Sequence, residues 1–325
     1  INWHWIFFIN IPLGALTALL TLRLVTPDSG RRTNGGTDVV GALTITAALM
    51  LGVYAIVEPA ATQGWTAPAT LTFGAAAVAL LVLFVLRENS AANPLVPMGI
   101  FHSRNVVGAN LIQIAGAAGM FGIFFLGSLY LKGVLGYGAM EIGFAFLPTT
   151  ILMGALSVRF TEPLVTRFGA RPVVVTGLVL ITVGLILFTR APVQGSYAAH
   201  VLPVVSLLGI GAGLAFPSLM TLAMSGVTAD NAGLASGLVN TTAQVGSALG
   251  LAVLATLSAS HTSTLLHAGH GSKDALVGGY HLAFWIAAGL LIGAVVIAAT
   301  VLQPVAATAD HQPADASVRE ALEAV

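Results

Sequence analysis

Long apolar runs broken by short polar connections make up most of the chain. A bilayer core about 30 Å thick takes about 20 apolar residues per helix. Nine stretches meet that length: Trp5–Val25, Val39–Pro59, Ala67–Leu86, Val106–Leu131, Ile142–Arg159, Pro172–Thr189, Val201–Ser225, Leu234–Ser258 and Gly279–Leu302. Turn-forming residues separate them, among them Pro27 with Gly30, Gly35-Gly36, Asn93-Pro94, Gly136 with Gly138, and Pro192 with Gly195. The pattern predicts an all-α, polytopic helical membrane protein with nine transmembrane helices. The polar, Ala-rich stretch from Gln303 to Val325 reads as a solvated tail with a short helix near Ser317–Ala324.

Composition narrows the class further. Charged residues are 7% of the 325 and hydrophobic ones 57%, against about 25% charged in a soluble domain. Twelve Lys+Arg and twelve Asp+Glu cannot cover a soluble surface of this size, and disorder needs low hydrophobicity. A formal net charge of +0 offers no basic patch for nucleic acid. With no cysteine there is neither a disulfide nor a thiolate site. The chain starts at Ile1 without a basic stretch before the first apolar run, so that run does not read as a signal peptide, and the chain reads as part of a longer one.

An odd span count puts the two ends on opposite sides. One set of connections holds Arg23, Arg31, Arg32, Arg87, Arg104, Arg159, Arg167, Arg171 and Arg319; the other holds only Lys132, Arg190 and Lys273. The positive-inside rule therefore expects a cytoplasmic C-terminus. The aromatics Trp3, Trp5, Trp65, Trp285, Tyr54, Tyr130, Tyr137, Tyr197 and Tyr280 fall near the opposite, outer ends. The connection from Arg87 to Asn105 reads as an amphipathic segment, with Leu95, Val96, Met98, Ile100 and Phe101 free to lie on the membrane surface. Six spans follow it, in two triplets of opposite direction, the arithmetic of an inverted repeat.

Candidate chemistry inside the spans is sparse. Asn110 and Gln113 share one face of span four, and Asn240 and Gln244 share one face of span eight beside Thr241 and Ser247. Intramembrane polar groups face a bundle interior or a wet cavity, so the two amide faces are candidate cavity walls or interhelical hydrogen-bond seams. Phe121, Phe124, Phe125, Phe144 and Phe146 could add an apolar wall. Glycine pairs such as Gly246 with Gly250 suit close helix packing, and Pro148 and Pro217 predict kinks in spans five and seven. No Asp or Glu falls mid-span; Asp38, Glu58, Glu141 and Glu162 sit near span ends. His261, His267 and His270 cluster in the loop expected between spans eight and nine. No Walker A motif, nucleophile elbow or HExxH pair is present, which weighs against an enzyme, and no metal site is expected.

Several motifs together resemble one family. WHWIFFINIPLG (Trp3 to Gly14) is similar to the fifth-to-sixth span junction of fourteen-span drug:proton antiporters of the major facilitator superfamily, EmrB/QacA type. TDVVGALT (Thr37 to Thr44) resembles the start of that family's seventh span. LYLKGVLGYGAMEIGFAFLP (Leu129 to Pro148) resembles its ninth-to-tenth span connection. RFGARP (Arg167 to Pro172) resembles its basic cytoplasmic loop, and ASGLVNTTAQVGSALGLAV (Ala235 to Val253) its thirteenth span. Lys132 and Ala243 depart from the family's usual Gln and Arg.

The resemblance implies four regions. Residues 1–25 would be the last helix of an N-terminal bundle whose other helices are missing, and 26–105 two linker helices with a cytoplasmic connection. Residues 106–302 would be a complete C-terminal six-helix bundle, and 303–325 a cytoplasmic tail. It implies an inner-membrane multidrug exporter working by alternating access, powered by the proton gradient and needing no cofactor. The coupling carboxylate would lie in the missing N-terminal part. Partners would be the bilayer, a small amphipathic or drug-like substrate and the missing helices. Arg167, Gly169, Arg171 and Glu162 would form the cytoplasmic gate motif, with the arginines pairing with Glu162 or a helix C-terminus. The alternatives are an integral-membrane enzyme acting on lipid-type substrates and a non-transporting sensor on the same fold.

Overall fold

The structure, a computed structural model, describes residues 8, 10–24, 38–91, 94–96, 98–225, 227–228 and 231–304. Trp3, Trp5, Arg31, Arg32, Thr37, Arg319 and the tail beyond Pro304 lie outside the described residues. All regular structure among the described residues is helical. The first helix, α1 (Asn10–Leu24), is a 15-residue apolar segment and covers most of the first expected span. Eight further helices are long and apolar enough to cross a bilayer: α2 (Val39–Gln63), α3 (Pro68–Ser90), α4 (Arg104–Gly133), α5 (Ala139–Phe168), α6 (Ala170–Phe188), α7 (Tyr197–Met224), α8 (Ala232–His267) and α9 (Ser272–Thr300).

Local chemistry fixes where these helices start. Asp38 caps α2 by accepting from the Gly41 N–H at 3.0 Å, and Ser103 caps α4 by accepting from Val106 at 3.4 Å. Pro68 opens α3 in the first turn, where a missing N–H costs nothing. Single π turns interrupt the ladder at Ile56–Ala60, Leu156–Phe160 and Tyr197–Val201. Pro59, Pro163 and Pro203 stand in or just beyond these turns, and removing a backbone donor is a recognised cause of such a defect.

From α4 onward the helices form one bundle around a continuous buried core that includes Ile112, Ile123, Leu178, Ile181, Leu208, Leu219, Ala287 and Leu291. Helix α4 packs on α8, α9 and α7, whereas α7 packs on α5, α6 and α4, and α6 packs on α9. Exchanging α4, α5 and α6 with α7, α8 and α9 leaves this pairing unchanged. Three crossings separate the members of each exchanged pair, so they run in opposite directions, as an inverted repeat requires. The α2–α3 hairpin packs on α8.

Glycine sets the closest approaches. A Cβ at Gly246 of α8 would stand 2.6 Å from the Ile114 carbonyl oxygen of α4, and one at Gly209 of α7 would stand 2.6 Å from the Thr149 carbonyl of α5. The two helix pairs exchange under the same swap, with the glycine on the other member of each pair.

One sequence expectation is corrected. The predicted outer loop holding His261, His267 and His270 is mostly helix, because α8 runs to His267 and α9 begins at Ser272. At 36 residues, α8 is about 54 Å long at 1.5 Å per residue, so it projects past the hydrocarbon. Hydropathy marks where a helix leaves lipid, not where it ends. The hydroxyls of Thr262 and Thr264 bond to carbonyls four residues back, which lets polar residues continue the helix. In the connection after α3, Leu95, Val96, Met98 and Phe101 line a cavity against α8, and Phe101 remains 41% exposed. The buried Glu88 carboxylate anchors the start of this connection, accepting from the N–H groups of Leu95 at 3.3 Å and Val96 at 3.1 Å.

Candidate functional site

The polar seam between α4 and α8 is built on a heptad-like stripe. Ala235, Val239 and Gly246 of α8 are buried, and Thr242 completes the stripe that faces α4. The Thr242 hydroxyl donates to Asn110 Oδ1 at 2.8 Å. Asn110 Nδ2 donates to the Val106 carbonyl of its own helix at 2.8 Å. The side chain is 6% exposed, so Asn110 is an interhelical hydrogen-bond partner in this conformation.

The other expected cavity residues do not meet there. Gln113 is half-buried and has no hydrogen bond to any described residue. Asn240 and Gln244 lie on exposed parts of α8; Asn240 Nδ2 donates to Ser236 O at 3.1 Å, and Gln244 borders a space shared with α2. Phe121 and Phe125 project from the exposed face of α4, 52% and 44% accessible. The structure therefore separates the four amides instead of gathering them. Sequence reasoning passed over Thr242. Its signal was the spacing of small residues at 235, 239, 242 and 246, which points to a packed face, while 240 and 244 fall on the opposite side of the helix.

At the Arg-rich end, Arg171 reaches from the start of α6 to the end of α9. Its Nε donates to Ala298 O at 3.3 Å, and its terminal nitrogen donates to Ala299 O. The last carbonyls of a helix lack internal donors, and a cation there also suits the helix dipole. Arg167 stacks over Phe168, 5.2 Å from the ring centroid, and Glu162 is exposed. Among the described residues the sole ion pair is Arg87 with Asp38 at 3.2 Å, so of the two partners expected for the loop arginines, Arg171 takes the helix C-terminus. Gly169 turns the chain between α5 and α6 at φ +85°, in the left-handed region that favours glycine. Asn105, another residue missed in the sequence, joins this end. Its amide donates to Ser225 Oγ at 2.9 Å and accepts from Gln303 N at 2.7 Å, tying α4 to the ends of α7 and α9.

The opposite end is clasped by the same chemistry. Tyr130 donates to Pro192 O at 2.8 Å, His281 Nε2 to Ala191 O at 2.9 Å, Lys273 to Val134 O at 2.9 Å and Tyr197 to Ala145 O at 3.0 Å.

Pro217 marks the α5–α7 contact. It has no N–H, so the Gly213 carbonyl four residues earlier loses its helical donor. Thr161 Oγ1 at 2.9 Å and Ser157 Oγ at 3.3 Å, both from α5, donate to that carbonyl instead. Thr149, beside Pro148, donates to Val205 O of α7 at 2.8 Å. Both prolines thus sit beside α5–α7 hydrogen bonds. No group of three or more His, Asp or Glu able to hold a metal occurs among the described residues.

The Major Facilitator Superfamily profile matches residues 1–251. The chain belongs to the major facilitator superfamily. It is 34% identical over 307 residues to the puromycin resistance protein pur8 of Streptomyces alboniger, covering 92% of this chain and 60% of that protein. It is 32% identical over 273 residues to the uncharacterized MFS-type transporter EfpA of Mycobacterium tuberculosis, with 81% and 49% covered. Against the cephamycin export protein CmcT of Amycolatopsis lactamdurans it is 30% identical over 267 residues, with 81% and 54% covered. The superfamily chain thus spans half to three-fifths of the length of these relatives.

Proposed function

We propose that the protein is a secondary active exporter of small amphipathic, drug-like molecules, of which this chain supplies the C-terminal half and the linker hairpin. The observation that carries the reading is the swap-invariant six-helix packing in a chain 34% identical to a puromycin resistance protein. An inverted-repeat bundle is built to rock against a second bundle around a midplane site.

In this reading the Arg-rich end is cytoplasmic and the C-terminus lies on that side. The exposed α4 face with Gln113, Phe121 and Phe125 borders the substrate path, and Gln244 and Asn240 contribute neutral hydrogen-bonding groups beside it. Asn110 acts through Thr242 by holding α4 against α8. Arg171 and Gly169 set the α5–α6 turn against α9 and stabilise one gate state, with Arg167 and Glu162 on the solvent side of the same loop. Proton influx drives the cycle through a carboxylate supplied by further N-terminal helices of the full-length protein.

The test is expression of the full-length gene in an efflux-deficient host, following loss of preloaded ethidium. Efflux that a protonophore abolishes supports the reading. Retention of dye equal to the empty-vector control, with the protein present in the membrane, refutes it.

A further inference from the structure

The linker hairpin does not seal against the bundle. A cavity of about 610 Å³ lies between α2, α3, the connection after α3, and α8. A second, of about 550 Å³, continues along α2 and α8 and shares Leu49 and Val245 with the first. Two glycines of α8, Gly233 and Gly237, line the first cavity, and a Cβ at either would meet nothing within 4 Å. Glycine in a helix interior is unfavourable relative to alanine, and in membranes it commonly allows close backbone contact, as at Gly246. At 233 and 237 there is no such contact. What these glycines provide is the space itself.

The wall offers hydrocarbon only. The Thr241 hydroxyl is spent on Gly237 O at 2.9 Å and that of Thr242 on Asn110; the remaining lining is aliphatic or aromatic apart from the two glycines. A polar solute would find no partner. The depth is also informative. Leu49 lies ten residues into α2, about 15 Å at 1.5 Å per residue, while Phe101 sits in the connection beyond the end of α3. The cavity therefore runs from the interface to about the middle of a 30 Å bilayer core, the reach of one leaflet's acyl chain. Arg104 stands three residues past Phe101, exposed and without an ion-pair partner among the described residues. Arg87 is 47% accessible beside Asp38.

We infer that this cavity holds one acyl chain of an anionic phospholipid from the Arg-rich leaflet, with the phosphate at Arg104. The lipid fills the gap between hairpin and bundle that side chains leave open.

The test is native mass spectrometry of the full-length protein, delipidated and then exposed to phosphatidylglycerol or phosphatidylcholine, with thermal unfolding as the fold control. Wild type should keep one phosphatidylglycerol. Gly237→Leu and Gly233→Leu, at positions where an added Cβ meets nothing within 4 Å, should each lower that occupancy at least tenfold. Gly143→Leu, at an equally open glycine on α5, should keep it. Arg104→Ala should erase the preference for phosphatidylglycerol. Retention of the lipid in both filled variants overturns the inference. So does a wild type that binds none and is destabilised by Gly237→Leu, since a further helix or a second copy then occupies the cavity.

Discussion

The Thr242 hydroxyl of α8 donates to the Asn110 amide oxygen of α4 across a 2.8 Å contact. This pairing assigns a buried amide in the membrane to helix association. Thr242→Val removes the donor while keeping the shape, and should destabilise the bundle by about 1 kcal/mol. A double-mutant cycle with Asn110→Ala should return a coupling of about 0.6 kcal/mol, the average for membrane hydrogen bonds. Steric-trap unfolding in bicelles measures both. Zero coupling would show that the contact does not hold the helices together.

The glycines of α8 divide into two kinds. Gly246→Ala places a methyl against the Ile114 backbone and should lower stability by about 1–3 kcal/mol, the usual cost of overpacking. Gly237→Ala, in the helix interior, should raise it by about 0.5–1 kcal/mol through helix propensity alone. Opposite signs on one helix are the expected result, read from the same unfolding assay.

At the α5–α7 contact the prediction concerns coupling. Thr161→Val should cost about 1 kcal/mol because it removes the better of two donors to the Gly213 carbonyl. In a Pro217→Ala background the residue 217 N–H returns to serve that carbonyl, so the cost of Thr161→Val should shrink. An undiminished cost in the double variant would contradict the replacement of a helical donor by Thr161.

Asp38 gives a pH dependence with a definite sign. The Gly41 N–H and then the Arg87 guanidinium lower its pKa from the ordinary 3.8. A group depressed in the folded state stabilises above its unfolded pKa and loses that contribution as pH falls through the folded value. Proteolysis of the α2–α3 hairpin should therefore be flat from pH 5 to 8 and rise in wild type only below about 3.8. Asp38→Asn should be more susceptible than wild type at neutral pH and lack the acid-dependent rise.

The spans were legible because hydrocarbon imposes a length and an apolarity on any helix that crosses it, and eight of the described helices follow the expected runs. Helix ends in water were not legible, as the polar extension of α8 to His267 shows. Nor were the facing directions. In a membrane helix both the packed face and the lipid face are apolar, so the periodicity that orients a soluble helix disappears. Asn240 and Gln244 stood out as polar, but Thr242 is the residue that faces α4, and only the small-residue spacing could indicate it. Glu88 and Asn105 were hidden differently: each serves backbone groups distant in sequence, Leu95 and Val96 for one and Gln303 for the other.

Under the proposed function, the full-length protein exchanges a drug-like solute for protons. The most direct test reconstitutes it in proteoliposomes carrying a pH-sensitive dye and adds ethidium under an imposed proton gradient. Ethidium-dependent proton flux, reduced by Arg171→Ala, is the expected result. Tight, correctly folded proteoliposomes in which neither ethidium nor protons move would contradict it.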